Sequence, residues 1–593
     1  MKNGEKTKCS TGSGRSFLQN LKSTYRYAKK GKKYLLLFLL LNIVLTIISV
    51  VVPIISAQRL ISLTNGFFER LIIFILIIFI IEILRNIMRY LCGFVYNKFY
   101  YDVRRVLQIE LTRETLKITQ EELNNNSSGI FIERINDDTD NLTDIFAELI
   151  DYFTGIIGNV GLLITIIFIN VYIGIAYIIF IIIIILYNKY SSGINYKNRK
   201  KWKESREKTG GFISEIVRGT KDIKILDAEE SFLFKANEYM KETNDISYKY
   251  QITKAKMRML GGNVRDICDF GIGLLMCIFL MSGNLTIEFA IIIYNYHYQI
   301  LCTADWIEKI YEIIKKFNLS SNRIFGILED NEFKKEKFGT ESINTFKGNI
   351  EFKNVTFSYE DNIPILKGLS LKINANETVG FVGPSGAGKT TIFNLISALN
   401  KINSGEILLD GININNLDKS SIRGNLSVIS QNAYIFNMSI LENLRIVKMD
   451  ASIEDIKEVC HLACLDDFIE SLPNKYDTIV GEGGVTLSGG QKQRLAIARA
   501  LLLKTEILLF DEATSALDNE TQTKIKQAID NLKGEYTILI IAHRLSTVID
   551  SDRIFVIDDG KVESEGTHSY LIKNSKVYNR LYQKETSDNR LNI

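Results

Sequence analysis

The stretch Val382–Thr391 reads VGPSGAGKTT. A short β-branched and apolar run, ETVGFVG (377–383), leads into it, and a helical pattern, TTIFNLISAL (390–399), leads out. Within it, Gly383 to Thr390 (GPSGAGKT) has two framing glycines followed by Lys and Thr. That is the spacing of a loop whose small residues let successive backbone N–H groups point inward at phosphates. A helix N-terminus directly behind the loop adds its positive dipole end. Lys389 supplies a compact cation for the β- and γ-phosphates, and the Thr390 hydroxyl is placed for Mg²⁺. The strand–turn–helix context predicts an α/β nucleotide-binding fold around this loop.

Two further stretches extend that prediction. EILLFDEATSALD (506–518) is a buried-strand pattern ending in two acids. Asp511 suits a Mg²⁺-holding carboxylate at a strand end, and Glu512 a general base that polarises an attacking water. LSGGQKQRLAIARALL (487–502) places a Ser-Gly-Gly turn before an amphipathic helix, a second anion-binding helix start. Two phosphate-binding ends in one lobe suit a nucleotide shared with a partner chain. Cys460, His461 and Cys464 look metal-like in spacing, but on a helix His461 points about 100° away from the two thiols, so a structural role is expected.

The first 330 residues have a different character. Long apolar runs cover 34–55, 71–91, 156–186, 267–283 and 289–302. A spanning helix needs about 20 mostly apolar residues. The third run is long enough for two spans with a tight turn near Asn170, so six membrane helices are expected, the last two less apolar. The segments after the second and fourth helices (about 97–140 and 188–255) are long, charged and helix-patterned. Lys and Arg crowd them and the N-terminal 33 residues, which predicts a cytosolic location for these parts and for the nucleotide-binding half. The resulting division is a basic segment 1–33, a membrane domain 34–330, a linker 331–347 and a nucleotide-binding domain 348–593. Glu82, Arg85 and Arg89 share one helix face inside the second run and are candidate cavity residues, either as an internal Glu82–Arg85 pair or as part of a cationic ring gripping an anionic cargo.

A net charge of +4 speaks against nucleic acid as the main partner. Abundant Ile, Asn and Lys with four Pro suggest a bacterial genome. The 33 residues before the first apolar run are too few for a peptidase domain, so no leader cleavage by this chain is expected.

Taken together, these motifs resemble those of ATP-binding cassette (ABC) exporters of the half-transporter kind, six membrane helices fused to one cassette. Gly383, Pro384, Ser385, Gly386, Ala387, Gly388, Lys389 and Thr390, with Thr391 behind them, match the Walker A motif, and ILLFD (507–511) the Walker B motif. Leu487, Ser488, Gly489, Gly490 and Gln491 match the family signature. The resemblance implies ATP and Mg²⁺ as ligands. It implies adenine stacking on Tyr359, Mg²⁺ and water contacts for Gln431, a D-loop at Ser515, Ala516, Leu517 and Asp518, and a switch histidine at His543. It implies a helical type-1 exporter membrane domain with coupling helices near 118–128 and 212–224. It also implies a homodimer, or a heterodimer with another half-transporter, that moves a peptide, lipid or amphipathic small molecule across the cytoplasmic membrane; a gated channel or regulatory ATPase is the alternative. The chain departs from the family at Gly483, where Arg is common, in a loop that relays motion between the halves.

Overall fold

The computed structural model describes residues 15–126, 128–329, 332–343, 345–359, 363–430, 433–481, 484–511, 519–542 and 544–591. They form two compact units. One comprises the chain up to Leu116 and the stretch after Asn126 up to Phe333; the other comprises Lys117–Asn126 and the chain from Lys334 onward.

The first unit is helical: α1 (Phe17–Ala28), α2 (Lys32–Thr64), α3 (Phe68–Thr115), α5 (Ser128–Glu133), α6 (Thr139–Ile169), α7 (Val171–Arg218), α8 (Thr220–Ile225), α9 (Glu229–Met281), α10 (Ile287–Leu301) and α11 (Thr303–Leu328). The short helix α4 (Gln120–Asn125) belongs to the second unit. Among the described residues, four helices are long and apolar enough to cross a membrane: α2, α3, residues 128–169 and α7. Their apolar windows are mostly exposed on the chain itself, with Ile72, Leu76 and Ile80 more than half accessible, which suits side chains meant for hydrocarbon. The fifth and sixth predicted spans fall on the C-terminal end of α9 and on α10. α10 has only 15 residues before a break at Cys302, after which α11 continues with charged residues.

The turn expected near Asn170 is a single residue. α6 ends at Ile169, and extended Asn170 caps α7, its side-chain oxygen accepting from the Tyr172 and Ile173 amides at 3.1 and 3.2 Å. The long helices α3 and α7 carry 48 residues each and α9 carries 53, far more than a bilayer needs, so each runs well beyond the hydrocarbon. Of the two expected short connecting helices, the first is α4, inside 118–128. The second is displaced. α7 stays helical through 212–218, breaks at Gly219, and the short helix occupies Thr220–Ile225.

Inside this unit, buried polar ties cross the helices. Asn159 on α6 donates to Thr303 Oγ1 at 2.9 Å and to the Gln299 carbonyl at 3.0 Å, and Tyr296 donates to the Val50 carbonyl at 3.0 Å. Such bonds link helices whose apolar faces lipid would otherwise satisfy equally well.

The second unit is the α/β cassette. Strands β1 (Ile350–Phe357), β2 (Leu366–Ile373), β4 (Ser404–Leu409) and β5 (Ile412–Asn413) form an antiparallel sheet in the order β2-β1-β4-β5. Strands β3 (Thr378–Val382), β6 (Leu426–Ile429), β9 (Ile507–Asp511), β10 (Thr537–Ile541), β11 (Arg553–Asp558) and β12 (Lys561–Gly566) form the second sheet in the order β12-β11-β3-β10-β9-β6. It is parallel except for β12 at the edge. β3 and β10 are buried at every residue, as near-continuous apolar strands of a parallel sheet should be. A small pair, β7 (Met438–Ser439) and β8 (Ile479–Val480), completes the strands. Helix α12 (Lys389–Ile396) follows β3; α13 (Lys419–Arg423), α14 (Ile440–Arg445), α15 (Ile453–Leu462), α16 (Asp466–Ser471) and α17 (Gly489–Leu503) precede β9.

One carboxylate clamps the start of this unit. Asp410 accepts from the amides of Lys347 (2.6 Å), Gly348 (3.3 Å) and Asn349 (2.9 Å) and from the Asn349 side chain (2.8 Å). Burial works to raise its pKa, but these donors together hold it below the ordinary carboxylate value. A depressed folded value contributes stability that is present above the unfolded pKa of about 3.9 and is lost as pH falls through the folded value. Asp410→Ala is therefore expected to destabilise the cassette by about 2 kcal/mol at pH 7, allowing for its partial exposure. Thermal unfolding of the purified chain at pH 7 and pH 3 checks this: the gap from wild type should narrow markedly at the lower pH, and an equal gap at both would refute the ionic clamp.

Candidate functional site

The site is built at one edge of the parallel sheet. In register, Ile541 of β10 lies level with Phe381 of β3 on one side and with Asp511 of β9 on the other. The chain therefore leaves β3 into the glycine loop and ends β9 at Asp511 along the same carboxyl edge, where ligands of such sheets bind. Phe381 anchors the strand from below, stacking on Phe555 at 5.6 Å and meeting Phe393 of α12 edge-on at 6.1 Å.

The loop's glycines have specific reasons. A Cβ on Gly383 would lie 2.0 Å from the Ile557 carbonyl oxygen, so no side chain fits. Gly388, at φ +99°, is the left-handed residue from which α12 starts, and a Cβ there would press on Leu366. Lys389 is 7% exposed, and its Nζ donates to the carbonyls of Gly383 (2.8 Å) and Pro384 (2.9 Å). A buried ammonium is thus folded back over the loop that would cradle phosphates.

The Thr390 hydroxyl and Asp511 Oδ1 are 3.5 Å apart. Two neighbouring oxygen ligands of an octahedral Mg²⁺ lie about 2.9 Å apart, so a small closing motion suffices, and the hydroxyl–carboxylate pair fits that ion. The curled glycine loop, the helix start and the buried lysine likewise fit a nucleotide's phosphates. Tyr359, half exposed, packs edge-on against Phe357 at 4.9 Å; its hydroxyl is 3.4 Å from Thr391 Oγ1 and accepts from Asn394 at 3.3 Å. Those bonds tie the hydroxyl to α12 while half of the residue stays exposed.

Ser488 lies at the N-cap of α17. Its Oγ accepts the Gln491 amide at 3.3 Å while Gln491 Oε1 accepts the Ser488 amide at 2.8 Å, a reciprocal capping box. The glycines 489 and 490 form the first turn rather than a turn before the helix. The serine hydroxyl accepts in this box and keeps its proton to donate. Among the described residues, the hydrogen bonds of Ser488 all stay within its own helix start. Glu512, His543, Gln431, Gly483 and the 515–518 segment lie outside the described residues. A residue that no motif announced holds the chain just after His543: Glu585 accepts the Leu545 amide at 2.7 Å. No pattern in the C-terminal helix could have shown it, because the pair is 40 residues apart.

In the membrane unit, Glu82 and Arg85 form an ion pair on α3, whereas Arg89 is exposed. Cys460 is fully buried, its thiol pushed up to about 12 chiefly by burial, and His461 points outward to Asp466 Oδ2 at 2.7 Å. The expected structural role of that trio agrees with this geometry. Among the described residues, no group of three ligating side chains could hold a metal ion on its own.

Fold and site together define a class: a nucleotide-binding cassette joined in one chain to a helical membrane region. The comparisons agree. The pattern of the ABC transporter transmembrane region matches residues 35–303 and that of the ABC transporter cassette residues 366–515. A Staphylococcus aureus (strain NCTC 8325 / PS 47) ATP-binding/permease protein, provisionally named for multidrug export, is 32% identical over 519 residues, 86% of this chain and 88% of that one. An ATP-dependent lipid A-core flippase of Haemophilus influenzae (strain 86-028NP) is 44% identical over 266 residues, 44% of this chain and 45% of the flippase, so that match spans under half of the relative's length. A solved bacterial Atm1-family ABC exporter with ATP bound superposes with a TM-score of 0.80 over 94% of this chain and 98% of that one, at 24% identity. The chain has the type-1 exporter fold and belongs to the ABC transporter family, ATPases that couple hydrolysis to transport.

Proposed function

We propose that the chain is one half of a dimeric exporter that uses ATP hydrolysis to move an amphipathic molecule out across a bacterial cytoplasmic membrane, its cassette on the cytosolic side. The observation that carries this is the shared sheet edge: the buried Lys389 loop and the Thr390–Asp511 pair lie on one cassette, covalently continuous with membrane-spanning helices. Lys389 and the loop amides hold the β- and γ-phosphates. Thr390 and Asp511, with Gln431, would hold Mg²⁺, which would supply charge neutralisation of the phosphates when bound. Glu512 orients the attacking water and His543 steadies the γ-phosphate. The second face of each nucleotide meets Ser488 of the partner chain, whose donor proton is uncommitted and whose helix start is positive. The lipid and drug cargoes in the relatives' names support an amphipathic substrate.

Mg²⁺-dependent ATPase and ATP-driven uptake into inside-out vesicles test the reading; a chain that hydrolyses ATP but moves no lipid, drug or peptide would overturn the exporter assignment. Tyr359→Ala is expected to weaken ATP affinity by up to about tenfold, the value of one aromatic stack, with turnover at saturating ATP retained. Tyr359→Trp should bind ATP as wild type does. Unchanged affinity in the alanine variant would remove Tyr359 from the site.

A further inference from the structure

Three membrane helices meet at a polar triad that the ATP cycle does not use. Tyr177 on α7 is completely buried, and its hydroxyl lies 2.9 Å from His297 Nδ1 on α10. The other ring nitrogen, Nε2, pairs with Asp269 on α9. Asp269 lies 12 residues before Met281 at the end of α9, and His297 10 residues after Ile287 at the start of α10. These positions are roughly 18 and 15 Å along their helices, near mid-membrane.

Hydrogen-bond accounting orients the triad. Among the described residues the buried Tyr177 O–H has one partner, His297 Nδ1. If Nδ1 carried a proton it would donate to the phenol oxygen, and the phenol's own proton would be left without an acceptor in an apolar interior. The satisfied arrangement has Tyr177 donating to Nδ1 and a neutral imidazole donating from Nε2 to Asp269. Among the described residues, Asp269 then has no cationic partner. Residues 266–301 and 171–188 contain no Lys or Arg. Arg265, one turn away, is held by both carboxylate oxygens of Asp305 at 2.8 Å.

An uncompensated carboxylate at this depth does not face hydrocarbon. The Asp269 side chain is 60% exposed, and it opens onto a cavity of about 380 Å³. Gly273, Leu274, Met276, Tyr294 and His297 are among the residues that line it. A Cβ on Gly273 would meet nothing within 4 Å, so the wall is open there. Tyr294 is 72% exposed and offers an aromatic face beside the carboxylate. A drug-sized apolar cavity with one anionic group and an aromatic ring matches an organic cation in size, charge and surface.

We propose that Asp269, oriented by His297 and Tyr177, is the anionic anchor of a membrane-depth site for apolar organic cations. The proposal rests on the exporter reading only in holding that the bound cation is cargo; the binding itself does not depend on it.

The test uses the full chain in lipid nanodiscs without ATP and measures equilibrium binding of tetraphenylphosphonium and of its equal-sized anion, tetraphenylborate. Wild type should prefer the cation. Asp269→Asn should weaken cation binding at least about tenfold, since the charge acts in a low-dielectric site, while Asp269→Glu retains it. Gly273→Leu fills the cavity with the charge intact and should also weaken the cation, which keeps the test decisive if the asparagine variant does not fold. Equal binding of the two ions by wild type, or wild-type cation affinity in Asp269→Asn or Gly273→Leu, would overturn the site. Cation binding that depends on Asp269, with neither ATPase stimulation nor ATP-driven uptake of tetraphenylphosphonium, supports the site and removes its role in export.

Discussion

Glu512→Gln is expected to bind MgATP as wild type does and to lose about 10²–10⁴-fold in turnover. Asp511, the last residue of β9, stands level with the base of the phosphate loop across β10, and Glu512 is its neighbour in sequence. The amide is nearly the size of the carboxylate, so the sheet edge, Lys389 and the Thr390–Asp511 pair stay as they are. What is lost is the group that accepts the water's proton as the oxygen attacks. Steady-state phosphate release beside nucleotide binding separates the two effects. Hydrolysis near the wild-type rate in this variant would assign the base elsewhere, and loss of binding would make Glu512 a structural residue.

The second large effect is a pattern rather than a single loss. Two mixed dimers carry the same two lesions, Lys389→Ala and Ser488→Ala. With one lesion in each chain, both fall on one shared nucleotide site and the other site remains whole. With both in one chain, each site carries one lesion. The first dimer should keep up to about half the activity and the second almost none, because a phosphate site without its lysine or its capping donor loses charge stabilisation at the transferring group. Tagged chains purified through two affinity steps allow the comparison. Equal rates would show that each cassette works alone. The hydrogen bonds of Ser488 make the test sharp: among the described residues they stay within its own helix start, so Ser488→Ala removes a cap worth about 1 kcal/mol in its own chain while the large effect is read in the other.

Much of this was legible in the residue order, for a physical reason that is the same each time. Gly383–Thr390 is local chemistry: a turn that no side chain but hydrogen allows at Gly383, a lysine and a hydroxyl, all within eight residues. The apolar runs are also local, since crossing hydrocarbon is demanded of each helix separately. The single-residue turn at Asn170 was visible because a polar residue interrupts a run too long for one span. The second short helix falls at the far end of the expected 212–224. Helical periodicity continues to Arg218, and only the break at Gly219 ends it.

Other features depend on partners far apart in the chain, and no spacing rule reaches them. Glu82 and Arg85 had two readings in sequence; the side chains form the ion pair, and Arg89 is exposed. Asp410 looks like an ordinary turn acid until the chain 61 to 63 residues earlier returns its amides to it. Tyr177 and His297 are 120 residues apart on different helices, and neither suggests the other. The sequence alone determined the class of protein and where its phosphate chemistry lies, because those demands are met within one turn or one span. Which charges are compensated and which are left to a ligand was decided only by tertiary packing, since compensation depends on what the fold brings within about 4 Å.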